Sequence, residues 1–244
     1  MKIGIVIPVY NQVARLRECL GSIRDTAPGH HDLTVFVVDS GSEEDVIEAV
    51  EAELGNYPET PHYKIQRLDS NRGVTIPWNV GVREAIAHCC GVICVCNSDV
   101  VFGPETIAHC AEAIRDHGVG ACFPFSIQGG PKPADFKIES ARRAQWGLKP
   151  DHLVRTGGFA GWCFFIARDV FERLGLFDER FTLWYQDTDF HRRLCEAGIH
   201  PVEVRACLLH HYESSTIKAL PGQFEHQGWR AQDEKRFFEK WPKR

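Results

Sequence analysis

The chain has 244 residues, of which 43% are hydrophobic and 25% are charged. Such a length and composition allow one large domain with a full apolar core. The formal net charge of -5 argues against a protein that binds nucleic acid or an anionic membrane through its overall charge. No stretch approaches the roughly 18 apolar residues that a membrane span needs. These features predict a cytoplasmic protein without a membrane span.

The first half of the chain alternates strand-like and helix-like segments. Short β-branched runs alternate with segments whose apolar residues recur at helical spacing. Ser42 is a candidate N-cap for the second helix. This rhythm predicts an α/β fold with a mostly parallel sheet flanked by helices. The predicted strands are 2–8, 33–38, 63–68 and 92–96, and the predicted helices are 14–24, 43–54, 77–87 and 104–117.

Polar residues follow each of these strands, where parallel sheets bind their ligands. The sequence places Tyr10 and Asn11 after the first strand, Asp39 after the second, and Asn71 with Gly73 after the third. Such residues are also common in simple turns. Their convergence on one rim of the sheet favours a binding site.

The fourth strand is followed by Asn97, Ser98 and Asp99. Divalent cations prefer hard oxygen ligands, and a cation bound to a diphosphate takes few ligands from the protein. Asp99 is therefore a candidate metal ligand, although the motif alone is also a common turn.

The second half of the chain is less regular. Its predicted strands are 118–125 and 202–209, and its predicted helices are 169–174, 187–197 and 223–241. Residues 159–167 are aromatic and apolar, and glycines at 158 and 161 allow close backbone approach. Residues 127–153 are rich in glycine, proline and charge, and they predict a long loop beside an active site or acceptor site. The basic residues of this region fit either an anionic acceptor or a solvated surface, and we favour the solvated surface. They are Lys132, Lys137, Arg142, Arg143, Lys149 and Arg155.

Two segments of the second half carry candidate chemistry. Asp187 and Asp189 open a predicted helix, where the helix dipole favours carboxylates and where either residue could act only as a cap. An aromatic loop, residues 181–185, precedes them and is of a kind that lines sugar sites. A carboxylate at this position could remove a proton from an acceptor hydroxyl. The paired His210 and His211 end a predicted strand, and a neutral imidazole there could be a further metal ligand.

Ten cysteines raise the alternatives of disulfides or a zinc site. The apolar run at residues 1–8 is too short for a signal peptide, so reduced thiols are expected. Most of these cysteines lie in apolar runs, where free cysteine behaves as a small hydrophobe. No CxxC pair is present, which favours buried thiols over zinc ligands.

Taken together, these motifs resemble family 2 glycosyltransferases, which have the GT-A fold. The resemblance runs from about residue 2 to residue 241, and it includes IVIPVYN, VVDSGS, NRG, WNVG, NSDV, FAGWCFFIARDVFERLGLFDERF, YQDTDFHRRLCEAGI and HHYESST. The resemblance implies single-displacement, inverting transfer of a sugar from a nucleotide-diphosphate sugar. It also implies a divalent metal, Mn²⁺ or Mg²⁺.

The resemblance assigns roles to individual residues. Asp187 matches the general base, and Asp99 with His211 matches the metal ligands, with His210 as the alternative histidine. The nucleotide-binding set is Pro8, Tyr10, Asp39, Asn71, Gly73, Asn97 and Asp99. The set expected near the donor sugar or the acceptor is Trp162, Trp184, Gln186, Asp189 and Arg193.

Two positions depart from the family pattern. Asn97 stands where the family usually has the first acid of its DxD motif, so it adds no charge for the metal. Gln186 stands where an acid usually precedes the base, which lowers the repulsion on Asp187. Metal dependence is therefore a weaker expectation than glycosyl transfer.

The expected organisation is one domain over residues 1–244. Residues 1–117 form its nucleotide-binding half, residues 118–222 its acceptor and catalytic half, and residues 223–244 a C-terminal helix. The basic, aromatic C-terminal end could pack on the domain or touch a membrane surface. We favour packing on the domain.

Several alternatives stay open. A nucleotidyltransferase would share the sheet and a metal carboxylate, but its first loop usually carries glycine and basic residues, which residues 8–12 lack. A non-catalytic nucleotide-binding or sugar-binding module would not need Asp99, Asp187 and a histidine together. The donor could be a UDP-, dTDP- or GDP-sugar. The acceptor hydroxyl could belong to a glycan, a lipid-linked glycan, a protein, a small metabolite or a modified nucleic-acid base.

Overall fold

The computed structural model describes residues 1–26, 32–55, 61–213 and 223–242. Within these ranges, nine strands form one sheet in the order β3-β2-β1-β4-β8-β6-β9-β5, with β7 paired to β9. The strands are β1 (Lys2–Val9), β2 (Asp32–Asp39), β3 (His62–Arg67), β4 (Val92–Cys96), β5 (Val100–Phe102), β6 (Ala121–Gln128), β7 (Leu153–Arg155), β8 (Cys163–Ala167) and β9 (Val202–His211).

The two halves of the sheet are paired differently. Strands β3, β2, β1 and β4 are all parallel, so their carboxyl ends share one edge. The register aligns Val9 with Asp39 and Asp39 with Arg67. Beyond β4 the pairing is mixed, because β8 runs antiparallel to both β4 and β6. The predicted parallel sheet is therefore confirmed for the first four strands, and antiparallel pairs extend it.

Helices cover both faces of the sheet. The apolar residues of α1, α2 and α4 pack with one set of strand residues, and those of α3, α6 and α7 pack with the other set. Because successive strand residues point to opposite faces, β1 contributes Ile5 to the first core and Val6 to the second. The helices are α1 (Val13–Thr26), α2 (Val46–Gly55), α3 (Thr75–Ala87), α4 (Thr106–Asp116), α5 (Phe136–Ala144), α6 (Arg168–Leu174), α7 (Gln186–Glu196) and α8 (Gln223–Lys240).

The start of α2 corrects the predicted cap. Ser42 does not cap this helix, because its backbone N–H and its hydroxyl both donate to Asp39 Oδ1. The helix begins at Val46, and Asp45 Oδ1 accepts the N–H of Glu48. Asp45 is therefore the capping residue.

The region expected to be one long loop, residues 127–153, contains regular structure. Phe136–Ala144 forms α5, and β7 pairs with β9. The buried side chains of α5 are Phe136 and Ser140, four residues apart, so one narrow face packs inward. The short strand β5, which follows Asp99 directly, was also missing from the prediction.

The cysteines are free thiols, and most are buried. The predicted burial of Cys94, Cys96, Cys122 and Cys163 is confirmed. Among the described residues, no helix combines the length and the apolar character needed to cross a bilayer.

Candidate active site

The carboxyl ends of β1 and β2 are joined by a compact hydrogen-bond network. Ser42 Oγ donates to Asp39 Oδ1 at 2.6 Å and accepts the Asn11 N–H at 2.7 Å. Asn11 and Gln12 have positive φ angles of 53° and 61°, which are uncommon for residues other than glycine. Glu44 supports this turn by accepting the N–H groups of Gln12 and Val13 at the start of α1. The rim next to Tyr10 is thus shaped by contacts between two loops.

Asp39 is fully buried, and its second oxygen faces a cation. Oδ2 lies 3.1 Å from Arg67 Nη1 but makes no aligned hydrogen bond with the described residues. Arg67 also donates to the Ser42 carbonyl at 2.6 Å, so it joins the end of β3 to the same network. The sequence prediction missed Arg67, although its position at the end of β3 was the available signal.

The next loop contains Asn71 and Gly73. Asn71 Oδ1 accepts the Gly73 N–H at 2.9 Å, which makes a local turn. Gly73 has a φ of +75°, and a Cβ here would overlap the carbonyl oxygen of Thr182. Glycine is therefore required on two grounds, backbone conformation and close approach.

Asp99 and His211 lie side by side and are both buried. His211 Nε2 is 3.3 Å from Asp99 Oδ1, and the Tyr212 N–H donates to the Asp99 carbonyl. The Trp162 indole stacks on the imidazole with centroids 5.3 Å apart and planes 10° apart. The Trp162 carbonyl accepts the Asn97 N–H at 2.9 Å, so the same residue also holds the neighbouring loop.

The adjacent histidine has different surroundings. His210 is fully buried between the rings of Phe136 and Tyr212, with centroids 6.2 and 4.6 Å away. Burial lowers the pKa of His210. These contacts favour His211 over His210 as the histidine on the metal side.

The Asp99–His211 pair fits a divalent metal. Both ring nitrogens of His211 are buried and lack a hydrogen bond among the described residues, and imidazole with carboxylate is a common ligand combination. Within the described ranges, no group of three histidine, cysteine, aspartate or glutamate side chains is arranged to hold a metal. Further ligands would therefore have to come from other groups, as is usual for a cation that a diphosphate also binds.

Asp187 lies in the first turn of α7, directly against Gly161. A Cβ at residue 161 would overlap Asp187 Oδ2, so only glycine leaves room for this carboxylate. The next residue, Trp162, is the one that stacks on His211. The neighbouring residues Gly161 and Trp162 therefore contact Asp187 and His211 respectively, so one dipeptide links the carboxylate to the Asp99–His211 pair.

Burial raises the pKa of Asp187. Its Oδ1 accepts hydrogen bonds from the N–H and the hydroxyl of Thr188. These two bonds lower the pKa, but the loss of solvation raises it by more. A carboxylate with a raised pKa is a stronger base than an ordinary aspartate. Beside it, Gln186 is buried, and its Oε1 makes no hydrogen bond with the described residues.

Asp189 and Arg193 have a different role from the one expected. Asp189 is fully buried, Arg193 Nε donates to its Oδ2, and Trp241 Nε1 donates to its Oδ1. Lys240 Nζ is also 2.6 Å from Oδ1. Arg193 donates to the carbonyls of residues 174 and 176 as well. These contacts engage both side chains with other groups of the protein, an arrangement that the sequence did not indicate.

The C-terminal helix α8 packs against the aromatic loop, as favoured from the sequence. Tyr185 stacks on Phe237 with ring centroids 4.9 Å apart. Trp184 is partly buried, and its backbone N–H donates to Asp233 Oδ2. Sequence reasoning missed Asp233, because a polar residue on a charged helix resembles any solvated position. Of the histidine motif HHYESST, residues 214–216 lie outside the described residues.

Comparison with known proteins agrees with this architecture. A family model described as glycosyl transferase family 2 matches residues 4–175, a span that ends before Asp187. The uncharacterized glycosyltransferase YwdF of Bacillus subtilis is 33% identical over 115 residues, which is 47% of this chain and 39% of YwdF. An N-acetylglucosaminyl-diphospho-decaprenol L-rhamnosyltransferase of Mycobacterium tuberculosis is 25% identical over 230 residues, 78% of this chain and 75% of the relative.

Solved structures show the same fold at low identity. A mannosyltransferase from Pyrobaculum calidifontis, in complex with GDP-Man and Mn²⁺, superimposes with a TM-score of 0.66 at 21% identity. The match covers 98% of this chain and 63% of that chain. GalNAc-T7 with UDP, GalNAc and Mn²⁺ gives a TM-score of 0.68 at 16% identity, over 86% of this chain and 43% of that chain. These neighbours confirm the predicted GT-A fold. The family model matches more than half of the length of this chain, and the chain therefore belongs to glycosyl transferase family 2.

Proposed function

We propose that this chain is an inverting glycosyltransferase that transfers a sugar from a nucleotide-diphosphate sugar to an acceptor hydroxyl. The observation that carries the proposal is the Gly161–Trp162 dipeptide, whose first residue lies against Asp187 and whose second residue stacks on His211 of the Asp99–His211 pair. A base and a metal-binding pair must both be close to the anomeric carbon for this reaction. Family membership supports the reaction class.

In this proposal the two halves of the domain have separate tasks. Residues 1–117 bind the nucleotide through the rim formed by Pro8, Tyr10, Asp39, Asn71 and Gly73, with Asn97 and Asp99 beside the diphosphate. The buried Oδ2 of Asp39 lacks an aligned hydrogen bond among the described residues. It is therefore suited to accept an N–H of the donor's nucleobase. Residues 118–222 hold the acceptor, and Trp162, Trp184 and Gln186 contribute to the site of the acceptor or the donor sugar.

Asp187 is the general base. Its carboxylate takes the proton of the acceptor hydroxyl as that oxygen attacks the anomeric carbon, and the bond to the diphosphate breaks on the opposite side. This single displacement inverts the anomeric centre. Asp99 and His211 would hold Mn²⁺ or Mg²⁺, which when bound neutralises charge on the leaving diphosphate.

The relatives suggest which substrates to test. The solved neighbours bind GDP-Man, UDP with GalNAc, or UDP-GlcNAc. The name of the Mycobacterium tuberculosis relative describes a lipid-linked acceptor, N-acetylglucosaminyl-diphospho-decaprenol. We therefore propose a UDP-, dTDP- or GDP-sugar as donor and put a lipid-linked glycan first among the acceptors.

A thermal-shift screen tests donor and metal together. A ligand that binds only the native state adds about 2.7 kcal/mol of stability at a hundred times its Kd. One nucleotide sugar should raise the unfolding temperature more with Mn²⁺ than without it. The His211→Ala variant should lose the Mn²⁺-dependent part and keep the rest. The proposal fails if no nucleotide sugar shifts the wild-type protein under either condition.

The stereochemical outcome tests the mechanism. Once a donor is found, the anomeric configuration of the first product can be followed by proton NMR. We expect inversion at the anomeric carbon. Retention would rule out a single displacement with Asp187 as the base.

A further inference from the structure

The helix α8 carries a buried carboxylate that binds three successive backbone amides. Asp233 is fully buried, and it accepts the N–H groups of Thr182, Leu183 and Trp184 at 2.9 to 3.1 Å. Arg236 Nη1 lies 3.1 Å from Oδ1 and donates to the carbonyl of Arg180. Hydrogen bonds to an ionised acceptor are stronger than neutral ones, so this loop is held firmly.

The opposite side of the same loop touches the donor rim. The Thr182 carbonyl accepts the Val74 N–H at 2.9 Å, and the Thr75 N–H lies 3.5 Å away. Gly73 is so close that any Cβ there would overlap this carbonyl. Thr182 therefore binds Asp233 through its N–H. Through its C=O it binds the segment of residues 71–75, which we call the donor loop.

The loop also leads directly into the helix of the base. Tyr185 has a φ of 68° and precedes α7, whose second residue is Asp187. Further contacts from α8 hold both sides of Asp187. The ring of Phe237 stacks on Tyr185, and Trp241 Nε1 donates to Asp189 at 2.8 Å.

We propose that Asp233 is a positioning residue that fixes the donor loop and the general base relative to each other. The inference rests on the proposed function of Asp187 and of residues 71–73. Asp233 touches neither substrate. It acts through the peptide units of residues 182–184, so its loss should disturb nucleotide binding and the chemical step together.

The Asp233→Asn variant tests this directly. Asparagine keeps the size of the side chain but has only one acceptor oxygen. Its NH₂ group is a donor and would face backbone N–H groups, which are also donors. We expect kcat to fall at least roughly tenfold, since small displacements of reacting groups carry large rate costs. We also expect the Kd of the nucleoside diphosphate to rise several-fold. Asp187→Asn, in contrast, should lower kcat and leave nucleotide binding unchanged.

Lys235→Ala is the matched control on the same helix. Lys235 is exposed, and it forms an ion pair with the exposed Glu239 one turn later. This variant should retain wild-type kcat and nucleotide affinity. If Asp233→Asn and Lys235→Ala behave alike, the positioning role is overturned.

Amide hydrogen exchange separates this inference from the proposed function, because it needs no transfer reaction. In Asp233→Asn, exchange should accelerate roughly tenfold in peptides covering residues 182–185 and also in those covering 73–76. Faster exchange confined to residues 182–185 would overturn the coupling. Faster exchange at both places, in a protein that transfers no sugar, would uphold the positioning role and remove the proposed activity.

A wild-type measurement covers the case in which Asp233→Asn does not fold. The nucleoside diphosphate with the largest thermal shift, added with Mn²⁺, should slow exchange in residues 73–76 and also in residues 182–185. Coupling between two sites is reciprocal, so protection must reach the second loop if the first is linked to it. Protection that stops at residue 76 would overturn the inference.

Discussion

In the proposed function, the donor half (residues 1–117) and the acceptor half (residues 118–222) hold their functional groups in different ways. On the donor side, Asp39 ends β2 and Asn11 follows the neighbouring parallel strand β1 by two residues, and Ser42 links the two segments. On the acceptor side, Asp187 and His211 come from separate elements, and the adjacent residues Gly161 and Trp162 contact one of them each. Strand ends that converge by topology tolerate the loss of one contact better than a site that depends on close packing. The expected effects of substitution therefore differ between the two halves.

The largest effect should come from Asp187→Asn on the acceptor side. Loss of the base should lower kcat by roughly 10²–10⁴-fold, because asparagine cannot take a proton from the acceptor. Nucleotide binding, measured by calorimetry, should stay at the wild-type level. Asp169→Asn, at an exposed position in α6, is the control and should be fully active. Near-normal turnover of Asp187→Asn would remove the base assignment.

Gly161→Ala should have the next largest effect, although it alters no polar group. The added methyl would overlap Asp187 Oδ2 and displace the carboxylate. We expect kcat to fall about 10²-fold, as for other misplaced catalytic groups. Gly158→Ala is the control, since a Cβ there meets nothing within 4 Å. Equal activity of the two variants would show that close packing does not set the position of the base.

Ser42→Ala should have a smaller effect, and on the donor side. It removes the hydroxyl that joins Asp39 to the Asn11 N–H. The donor KM should rise several-fold with little change in kcat, and the free energy of unfolding should fall by about 1 kcal/mol. Steady-state kinetics and urea unfolding measure these quantities, with Glu51→Ala on the exposed side of α2 as control. A large loss of kcat would contradict the separation between the two halves.

The smallest effect should be a displaced acid limb in the pH profile of kcat. Burial raises the pKa of Asp187, and the ionised form is the active base. Activity should therefore be lost, as pH falls, at a higher pH than the ordinary aspartate pKa of about 3.9 predicts. The thermal shift produced by the nucleotide should not show this limb. An acid limb of kcat at or below the ordinary range would contradict a base with a raised pKa.

The sequence predicted the donor half well, for physical reasons. Alternating strands and helices with polar strand ends determine a parallel sheet and its carboxyl edge, so the location of Asp39, Asn71 and Asp99 at the ends of strands could be predicted. Arg67 was missed because pairing to Asp39 depends on strand register, which a single sequence does not state.

The acceptor half was harder to predict. Asp189 carries the same charge as Asp187 and lies two residues away, yet burial against Trp241 and Arg193 gives it another role. The helix α5 was not predicted because its charged residues and its partly exposed face lacked a broad apolar stripe. Asp233 could not be recognised, since its three partners lie about 50 residues earlier in the chain.

The position of Asp233 late in the chain also affects how the protein is made. Ribosomes deliver residues in order, and domains begin to fold during synthesis. The segment 182–184 leaves the ribosome about 50 residues before the carboxylate that accepts its amides. A nascent chain can therefore carry the first four parallel strands while residues 182–184, which join the loop at Gly73 to the helix of Asp187, still lack their anchor. Catalytic competence should consequently appear only once α8 has emerged and docked.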